Sequence, residues 1–419
     1  MARILLIAYY YPPNHTSGGQ RPLKMAEYLP RLDHDVVVLT SSYVRETSAE
    51  KNIIRVYDPS HNKNRVGLRK FQWLFLRLWV ELLNRLGISA SIYSLWKRSV
   101  LRKVNEIIAR VKPQWILATY PPVETLEIGL HLSQKFNLPL IADFRDGLLF
   151  EAIESNRLRR FACVLKAYAA IEQQVAKEAV ALITVSEPLS RYFRETYNPA
   201  CVATVPSGFD PDEMQMKLPD IYLEPGCFHI VHSGRFALSD VKCSINPLVQ
   251  ALHGFLASRP ELAKTFRLHL LGELNRREKR MLAGLVQRGV VRMHGSVSRP
   301  QALAFQRQAD LLLLITSPDR SYVATTKIFE YLQARRPILA LTAGSFAAEI
   351  VEKCRCGWVV SPLAANEIRL ILERIIDDPV FFQDVDLSAA AIAGYSIAIS
   401  LGQLSELLRT LDKNRPTCT

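Results

Sequence analysis

Thr325-Thr326-Lys327-Ile328-Phe329-Glu330-Tyr331-Leu332-Gln333-Ala334 stands between two apolar runs, Leu311 to Ile315 before it and Ile338 to Leu341 after it. Thr316 to Val323 is a polar loop, and Arg335-Arg336-Pro337 ends the segment. The order is strand, loop, helix, strand. Thr325 or Thr326 is placed to cap the helix, and the first-turn N–H groups then point into the loop. Orphan donors and the helix dipole both favour an anion at that point. Lys327 adds a cation, and Glu330 lies about one turn further in, suited to a hydroxyl rather than a phosphate. Phosphate donors beside a ribose-sized acceptor suggest a nucleoside diphosphate. An ordinary βαβ helix with a solvated Lys and Glu has the same pattern.

Composition sets the outer bounds. At 419 residues, 49% hydrophobic and 22% charged, the chain is globular and long enough for two domains of about 200 residues. No apolar run approaches the ~18 residues of a transmembrane helix. Met1-Ala2-Arg3-Ile4 runs straight into a strand pattern without a small-residue cleavage site, so no signal peptide is expected. The 7 cysteines are scattered, and Cys354 and Cys356 lack the spacing and second pair of a zinc site. They read as reduced thiols, which suits a cytoplasmic protein. The net charge of +13 suggests an acidic partner. Without a zinc-finger or RNA-binding pattern, nucleic acid ranks below anionic lipid and phosphorylated substrates.

In the first half, the apolar run from residue 3 to 10 ends at Tyr11-Pro12-Pro13 and leads into Asn14-His15-Thr16-Ser17-Gly18-Gly19, then a helix from Gln20 to Leu32. Gly18 and Gly19 at a strand-to-helix turn allow close backbone approach to a ligand. The turn lacks the G-x-G-x-x-G dinucleotide fingerprint, so a nicotinamide cofactor is not expected. Asp33-His34-Asp35 and Asp210-Pro211-Asp212 spell D-x-D but read as turns, not metal sites. The strand Pro139 to Ala142 delivers Asp143-Phe144-Arg145-Asp146-Gly147 at its carboxyl end, where open α/β sheets bind ligands. An Arg145–carboxylate bridge locking that loop is the plainer reading. Between these lies a basic amphipathic stretch, 68–86, with Phe71, Leu74, Phe75, Leu78, Trp79, Leu82 and Leu86 on one face. Tyr93 and Trp96 follow as a second aromatic cluster beside Lys97, Arg98, Arg102 and Lys103. It reads equally as a membrane-surface helix or as a core-facing helix with a solvated basic side.

The second half repeats the alternation. His229 to Ser233 is a strand, Gly234-Arg235 sits at its end, and Lys242 precedes a helix from Asn246. An Arg fork and a Lys point charge suit a pyrophosphate. Alternating strands and helices in both halves predict doubly wound α/β domains.

Lys327-Ile328-Phe329-Glu330-Tyr331-Leu332, followed by Arg336-Pro337-Ile338-Leu339, resembles the donor-site helix of family 4 glycosyltransferases, retaining enzymes of the GT-B fold. The resemblance runs through YYYPPNHTSGGQRPLKMAEYL near the start, the D-F-R-D run at Asp143, Pro206-Ser207-Gly208-Phe209-Asp210 and the G-R…K pattern of Arg235 and Lys242. D-F-R-D is typical of a bacterial branch that builds polysaccharide or lipopolysaccharide. The resemblance implies two Rossmann-like doubly wound domains facing across a cleft, with the last helix crossing back to the first. The expected division is 1–206, 207–380 and a helical tail 381–419. It implies a metal-independent glycosyltransferase that uses a nucleoside-diphosphate sugar as co-substrate, with no cofactor, and a saccharide or lipid-linked saccharide as acceptor. It also implies a peripheral place on the inner face of the membrane through 68–86.

Arg235, Lys242, Arg145 and Asp146 are the expected catalytic groups. Gly18, Gly19, Arg235, Lys242, Met293, Tyr322, Thr325, Thr326, Lys327 and Glu330 are the expected donor-binding residues. Met293 enters because Val290 to Gly295 corresponds to the segment that lies against the nucleobase. The chain departs from the family in three places. Relatives often carry a histidine near Arg145. The Arg235–Lys242 gap is longer by about one residue. The first acid of E-x7-E is replaced by Tyr322, so Tyr322, a neighbour such as Asp319, or a different mode of sugar binding takes its part. Product analysis without acceptor separates transfer from a sugar-nucleotide 2-epimerase of the same fold, and a catalytically inactive membrane-associated subunit is the reading from another class.

Overall fold

A computed structural model describes residues 2–13, 17–42, 51–60, 68–151, 161–236, 243–318, 320–322 and 325–413. The chain divides into two compact units, Met1–Pro206 with Leu401–Thr419, and Ser207–Ser400.

The first unit holds a parallel seven-stranded sheet of β1 (Arg3–Ile7), β2 (Asp35–Ser42), β3 (Ile53–Tyr57), β4 (Trp115–Tyr120), β5 (Leu140–Phe144), β6 (Ala181–Thr184) and β7 (Val202–Thr204), in the order β3-β2-β1-β4-β5-β6-β7. Its central strands are apolar without alternation because both faces are covered by helices, and Ile4, Leu5, Leu6 and Ile7 are all fully buried. Succession along the chain moves from β1 to β3 on one side, then returns to β4 on the other. The carboxyl ends of β1 and β4 therefore flank a topological switch point, where such sheets open a crevice.

The second unit repeats the plan with β8 (Phe228–Ser233), β9 (Phe266–Leu271), β10 (Val291–Gly295), β11 (Leu311–Ile315), β12 (Ile338–Leu341) and β13 (Gly357–Val360), in the order β10-β9-β8-β11-β12-β13, again parallel. Here the switch point lies between β8 and β11, which pair through Ile230–Leu311 and Val231–Leu312. Gly234-Arg235 follows one of these strands, and the loop to the helix Thr326–Ala334 follows the other. The final helix, Ile397–Lys413, follows the short helix Ala389–Ile392 after a break at Ala393–Tyr395. It is counted with the second unit to Ser400 and with the first from Leu401.

Several elements differ from the sequence reading. β3 and the helices Ser94–Arg102, Val104–Val111 and Arg276–Gln287 are present without having been expected. β5 runs to Phe144, so Asp143 lies inside the strand, not beyond it. Trp96 does not join the amphipathic surface: it is fully buried, and its ring meets that of Tyr9 edge-on at 5.1 Å. Tyr93 packs on the same Tyr9 ring at 4.8 Å. The helix Leu68–Arg85, in contrast, leaves Leu74, Phe75, Leu78, Trp79 and Leu82 exposed, with Leu86 beyond its end. No helix among the described residues is long and apolar enough to cross a membrane.

Candidate functional site

In the second unit the switch point is built by close backbone packing. Gly234 N–H donates to Leu271 O at 2.6 Å, and Gly272 N–H to Gly295 O at 2.7 Å. Gly234 and Gly272 both have positive φ, +115° and +144°. A Cβ on Gly272 would overlap the Gly234 carbonyl, so the ends of β8 and β9 close together only as glycine. Lys327 reaches over this floor: a Cβ on Gly234 would overlap its Cε and stand 2.6 Å from its Nζ. Burial pushes the Lys327 ammonium below its ordinary pKa, opposed by Cys243 and Glu330.

The helix Thr326–Ala334 opens at Thr325, whose side chain makes no capping bond. Sequence reading expected a threonine cap; the structure leaves the Thr325 hydroxyl buried and without a hydrogen bond. The hydroxyls of Thr316 and Ser317 after β11, and of Thr342 after β12, are in the same condition among the described residues. A buried hydroxyl without a partner costs about 1–3 kcal/mol, so these hydroxyls, at the ends of two adjacent strands and at a helix N-terminus, are candidate contacts for a polar ligand. Arg235 is exposed and enters no ion pair among the described residues. Lys242 and Asp319 lie outside the described residues. Tyr322 is fully buried, 1% exposed. Met293 is 41% exposed on β10, next to a bulge between Met293 and Gly295.

Glu330 is only partly exposed, and both of its oxygens are held. Arg299 Nη1 donates to its Oε1 at 2.6 Å, and Gln306 Nε2 to its Oε2 at 3.2 Å. Gln306 also donates to Ser233 Oγ at 2.9 Å, and the Tyr331 hydroxyl accepts from Ser233 N–H at 2.9 Å while donating to Leu313 O at 3.2 Å. A polar string thus ties Glu330 to the end of β8 and the middle of β11. Arg299 and Gln306 carry no motif that singles them out in the sequence. They become legible only when the helix Arg299–Gln308 packs beside Thr326–Ala334.

Beside this site three histidines on adjacent strands form a chain. His229 Nδ1 lies 2.9 Å from His269 Nε2, and His269 Nδ1 lies 3.0 Å from His294 Nε2. Burial, then His294 and His229, lower His269 to about 3. His232, buried on β8, is lowered to about 3 by burial and then Lys327, and its Nδ1–H donates to Leu313 O at 2.9 Å.

The first unit holds a second cluster at its own switch point. Arg21, on the helix Gln20–Tyr28 that follows Gly18-Gly19, donates from Nη2 to Asp143 Oδ1 at 2.8 Å and from Nε to both oxygens at 3.1 Å. Thr119 Oγ1 donates to Asp143 Oδ2 at 2.7 Å. All three side chains are at least 95% buried, and Arg21 Nη1 has no partner among the described residues. The expected Arg145–carboxylate bridge is therefore replaced: Asp143 belongs to Arg21. Arg145 instead donates to three backbone carbonyls, Tyr120 O and Pro121 O at 3.1 Å and Gly18 O. The reason is direction. Asp143 lies within β5 and points into the core, whereas Arg145 emerges beyond the strand and meets the ends of β4 and the glycine turn. Burial lowers the Arg145 pKa, opposed by Asp146 and Asp143. Asp146 lies one residue further along the same loop, and Gly19 is buried in the turn Ser17–Gly19.

Residues 18–208 match a family model described as glycosyl transferase 4-like domain, and residues 229–378 match one described as glycosyl transferases group 1. A comparison with curated proteins finds no match. Among solved structures, a sucrose-phosphate synthase from Thermosynechococcus elongatus superposes with a TM-score of 0.69 at 18% identity, covering 98% of this chain and 100% of the other. An α,α-trehalose-phosphate synthase (UDP-forming) from Burkholderia vietnamiensis gives 0.63 at 12% identity, covering 98% and 100%. HepE from Anabaena, in complex with UDP, gives 0.62 at 15% identity, covering 97% and 100%. At these identities the likeness to solved structures is one of fold.

Proposed function

The chain belongs to the family 4 glycosyltransferases, enzymes of the GT-B fold, and we propose that it transfers a sugar, with retention, from a nucleoside-diphosphate sugar to a saccharide or lipid-linked saccharide in bacterial cell-surface polysaccharide or lipopolysaccharide synthesis. The observation that carries the donor reading is the set of open groups at the second unit's switch point. Hydroxyls of Thr316 and Ser317 after β11, of Thr342 after β12 and of Thr325 at the helix start have no partner among the described residues, and Lys327 of that helix lies against Gly234 at the end of β8. That is an anion site built from donors with nothing yet to donate to. HepE was solved with UDP and with UDP-glucose, which supports a nucleoside diphosphate as the anion.

In this reading the donor pyrophosphate sits against Thr325, Thr326 and their first-turn N–H groups, with Lys327, Arg235 and Lys242 as cations. Glu330 accepts the ribose hydroxyls and the nucleobase lies along Met293. In the first unit, Arg145 donates to the Gly18 carbonyl and holds the Gly18-Gly19 turn, and Asp146 follows Arg145 in the chain; these are that unit's candidate groups for the reaction. Preorganised cations stabilise charge as it develops on the leaving diphosphate. The departing phosphate oxygen takes the acceptor's proton on the same face from which the sugar is attacked, so the configuration at the anomeric carbon is retained. Fixed cations and a helix start meet the diphosphate charge without a divalent ion, and transfer that persists in chelator is expected; strict dependence on added metal counts against it.

Thermal unfolding with UDP, GDP, ADP and CMP, each without metal, tests the donor site. A ligand at a hundred times its dissociation constant adds about 2.7 kcal/mol of stability. One clear stabiliser names the base; no response to any of them removes the reading. Near-normal turnover in folded Arg235→Ala would remove Arg235 from the pyrophosphate.

The same proposal places the enzyme on the inner membrane face through Leu68–Arg85. Phe75 is 68% exposed, Leu78 57% and Leu86 67%, a contiguous apolar strip of the sort that monomers rarely leave in water. Arg77 and Arg85 on the same helix and the net charge of +13 suit anionic headgroups. Flotation with phosphatidylglycerol vesicles should carry the wild type and leave a Phe75→Ser/Leu78→Ser/Trp79→Ser variant behind; equal flotation excludes this helix as the anchor.

A further inference from the structure

Glu330 is held at a fork of two side chains from one helix. Arg299 occupies the first turn of its helix and Gln306 lies two turns later on the same face. Between them they take one hydrogen bond on each oxygen of Glu330, at 2.6 and 3.2 Å. Arg299 is anchored from behind by Glu213, which accepts Nη2 at 2.8 Å and Nε at 3.2 Å. Glu213 is buried, 9% exposed, on the short helix Pro211–Met214, whose backbone is tied down by Arg307 donating to Glu213 O at 2.8 Å. Gln306 is fully buried and is oriented by Ser233. The Glu330 side chain retains 16% of its surface.

A carboxylate offers about four acceptor directions. Two are taken here by Arg299 and Gln306, one on each oxygen, which leaves one acceptor direction on each oxygen of a side chain that keeps part of its surface. We propose that Arg299, backed by Glu213, is a positioning residue that holds the Glu330 carboxylate in one orientation, turned so that its remaining lone pairs meet the vicinal 2′- and 3′-hydroxyls of the donor ribose. This rests on Glu330 being the ribose acceptor. A glutamate with three free torsions would lose rotamer freedom on binding; here that freedom is already lost in the free protein. Arg299 suits the task because a planar guanidinium grips two carboxylates at once, which a lysine ammonium does not reproduce. Without the guanidinium, Glu213 and Glu330 would face each other as uncompensated like charges, and Glu330 would swing away from the hydroxyls.

The test reads recognition of the ribose itself, which a general loss of stability does not alter. Affinities are measured by calorimetry for UDP, GDP, ADP and CDP, and for the 2′-deoxy form of whichever binds. In the wild type the ribose form should bind at least tenfold tighter than the deoxy form, and Glu330→Gln should bring the ratio close to one. Arg299→Met should reduce the ratio to about threefold or less while the deoxy nucleotide still binds, and Arg299→Lys should restore only part of it. Glu213→Gln, which keeps Arg299 but loosens its anchor, should give an intermediate ratio and serves if Arg299→Met does not fold. An unchanged ratio in Arg299→Met or Glu213→Gln, with Glu330→Gln showing the loss, overturns the positioning role alone. A wild type without the ratio, or one that binds none of the diphosphates, overturns the ribose reading and this inference with it.

Discussion

Replacing Gly234 with alanine separates two effects that meet at one atom. Gly234 has φ +115°, a conformation that L side chains rarely adopt, and the strain costs about 1–3 kcal/mol of stability. The new Cβ would also overlap Lys327 Cε and stand 2.6 Å from Nζ. The lysine is the flexible partner, so it moves, and its ammonium leaves the floor of the proposed phosphate site. A hydrogen bond to a charged group contributes about 1.5–3 kcal/mol, which is roughly 10- to 150-fold in affinity. Gly234→Ala should therefore weaken diphosphate binding by that factor in calorimetry. Lys327→Met should do the same without the loss from backbone strain. The two changes remove one contact, so Gly234→Ala/Lys327→Met should bind little worse than either alone. Undiminished binding in folded Gly234→Ala, or losses that add in the double variant, would refute the argument that Lys327 works from its position over Gly234.

Two further expectations concern stability. Asp143→Asn removes the charge that compensates Arg21 in a fully buried site; breaking a buried pair on one side costs about 3–5 kcal/mol, and urea unfolding that shows less than about 1 kcal/mol would mean water reaches Arg21. His232 and His269 are both lowered to about 3 in the folded chain from an ordinary 6.5, so the unfolded chain binds protons that the folded one does not. Their contribution is complete above pH 6.5 and is lost as pH falls toward 3, at up to about 1.4 kcal/mol per pH unit for each. His232→Asn should flatten the acid limb of the stability curve by about one proton, and an unchanged slope would show that His232 protonates in the folded state.

Much of the architecture was legible before the structure. The uninterrupted apolar runs at Leu311–Ile315 and Ile338–Leu341 are strands with the bounds that the run itself suggests, because a strand buried on both faces has no alternation to blur its ends. β3 was missed since Ile53–Tyr57 is an edge strand with half-buried residues and a central Arg55, which weakens the apolar signal. The amphipathic stretch was ambiguous for a different cause. Periodicity says that a helix has an apolar face, not what covers it, and the structure separates exposed Phe75 and Trp79 from buried Trp96.

The sequence by itself determined the alternation of strands and helices, β3 and three helices apart, and the chemistry available at the strand ends: a glycine turn at Gly18-Gly19, an arginine at 235, and a lysine and glutamate on the helix after β11. Those follow from local pattern, because strand, turn and helix are encoded over a few residues. Only the tertiary structure decided partnership. It gave Asp143 to Arg21 across 122 positions and Glu330 to Arg299 across 31. It also turned Arg145 toward carbonyls and laid Lys327 on Gly234. A charged side chain has many acceptable partners in a linear chain. Packing brings a few within hydrogen-bond reach, and the cost of burying a charge alone selects among them.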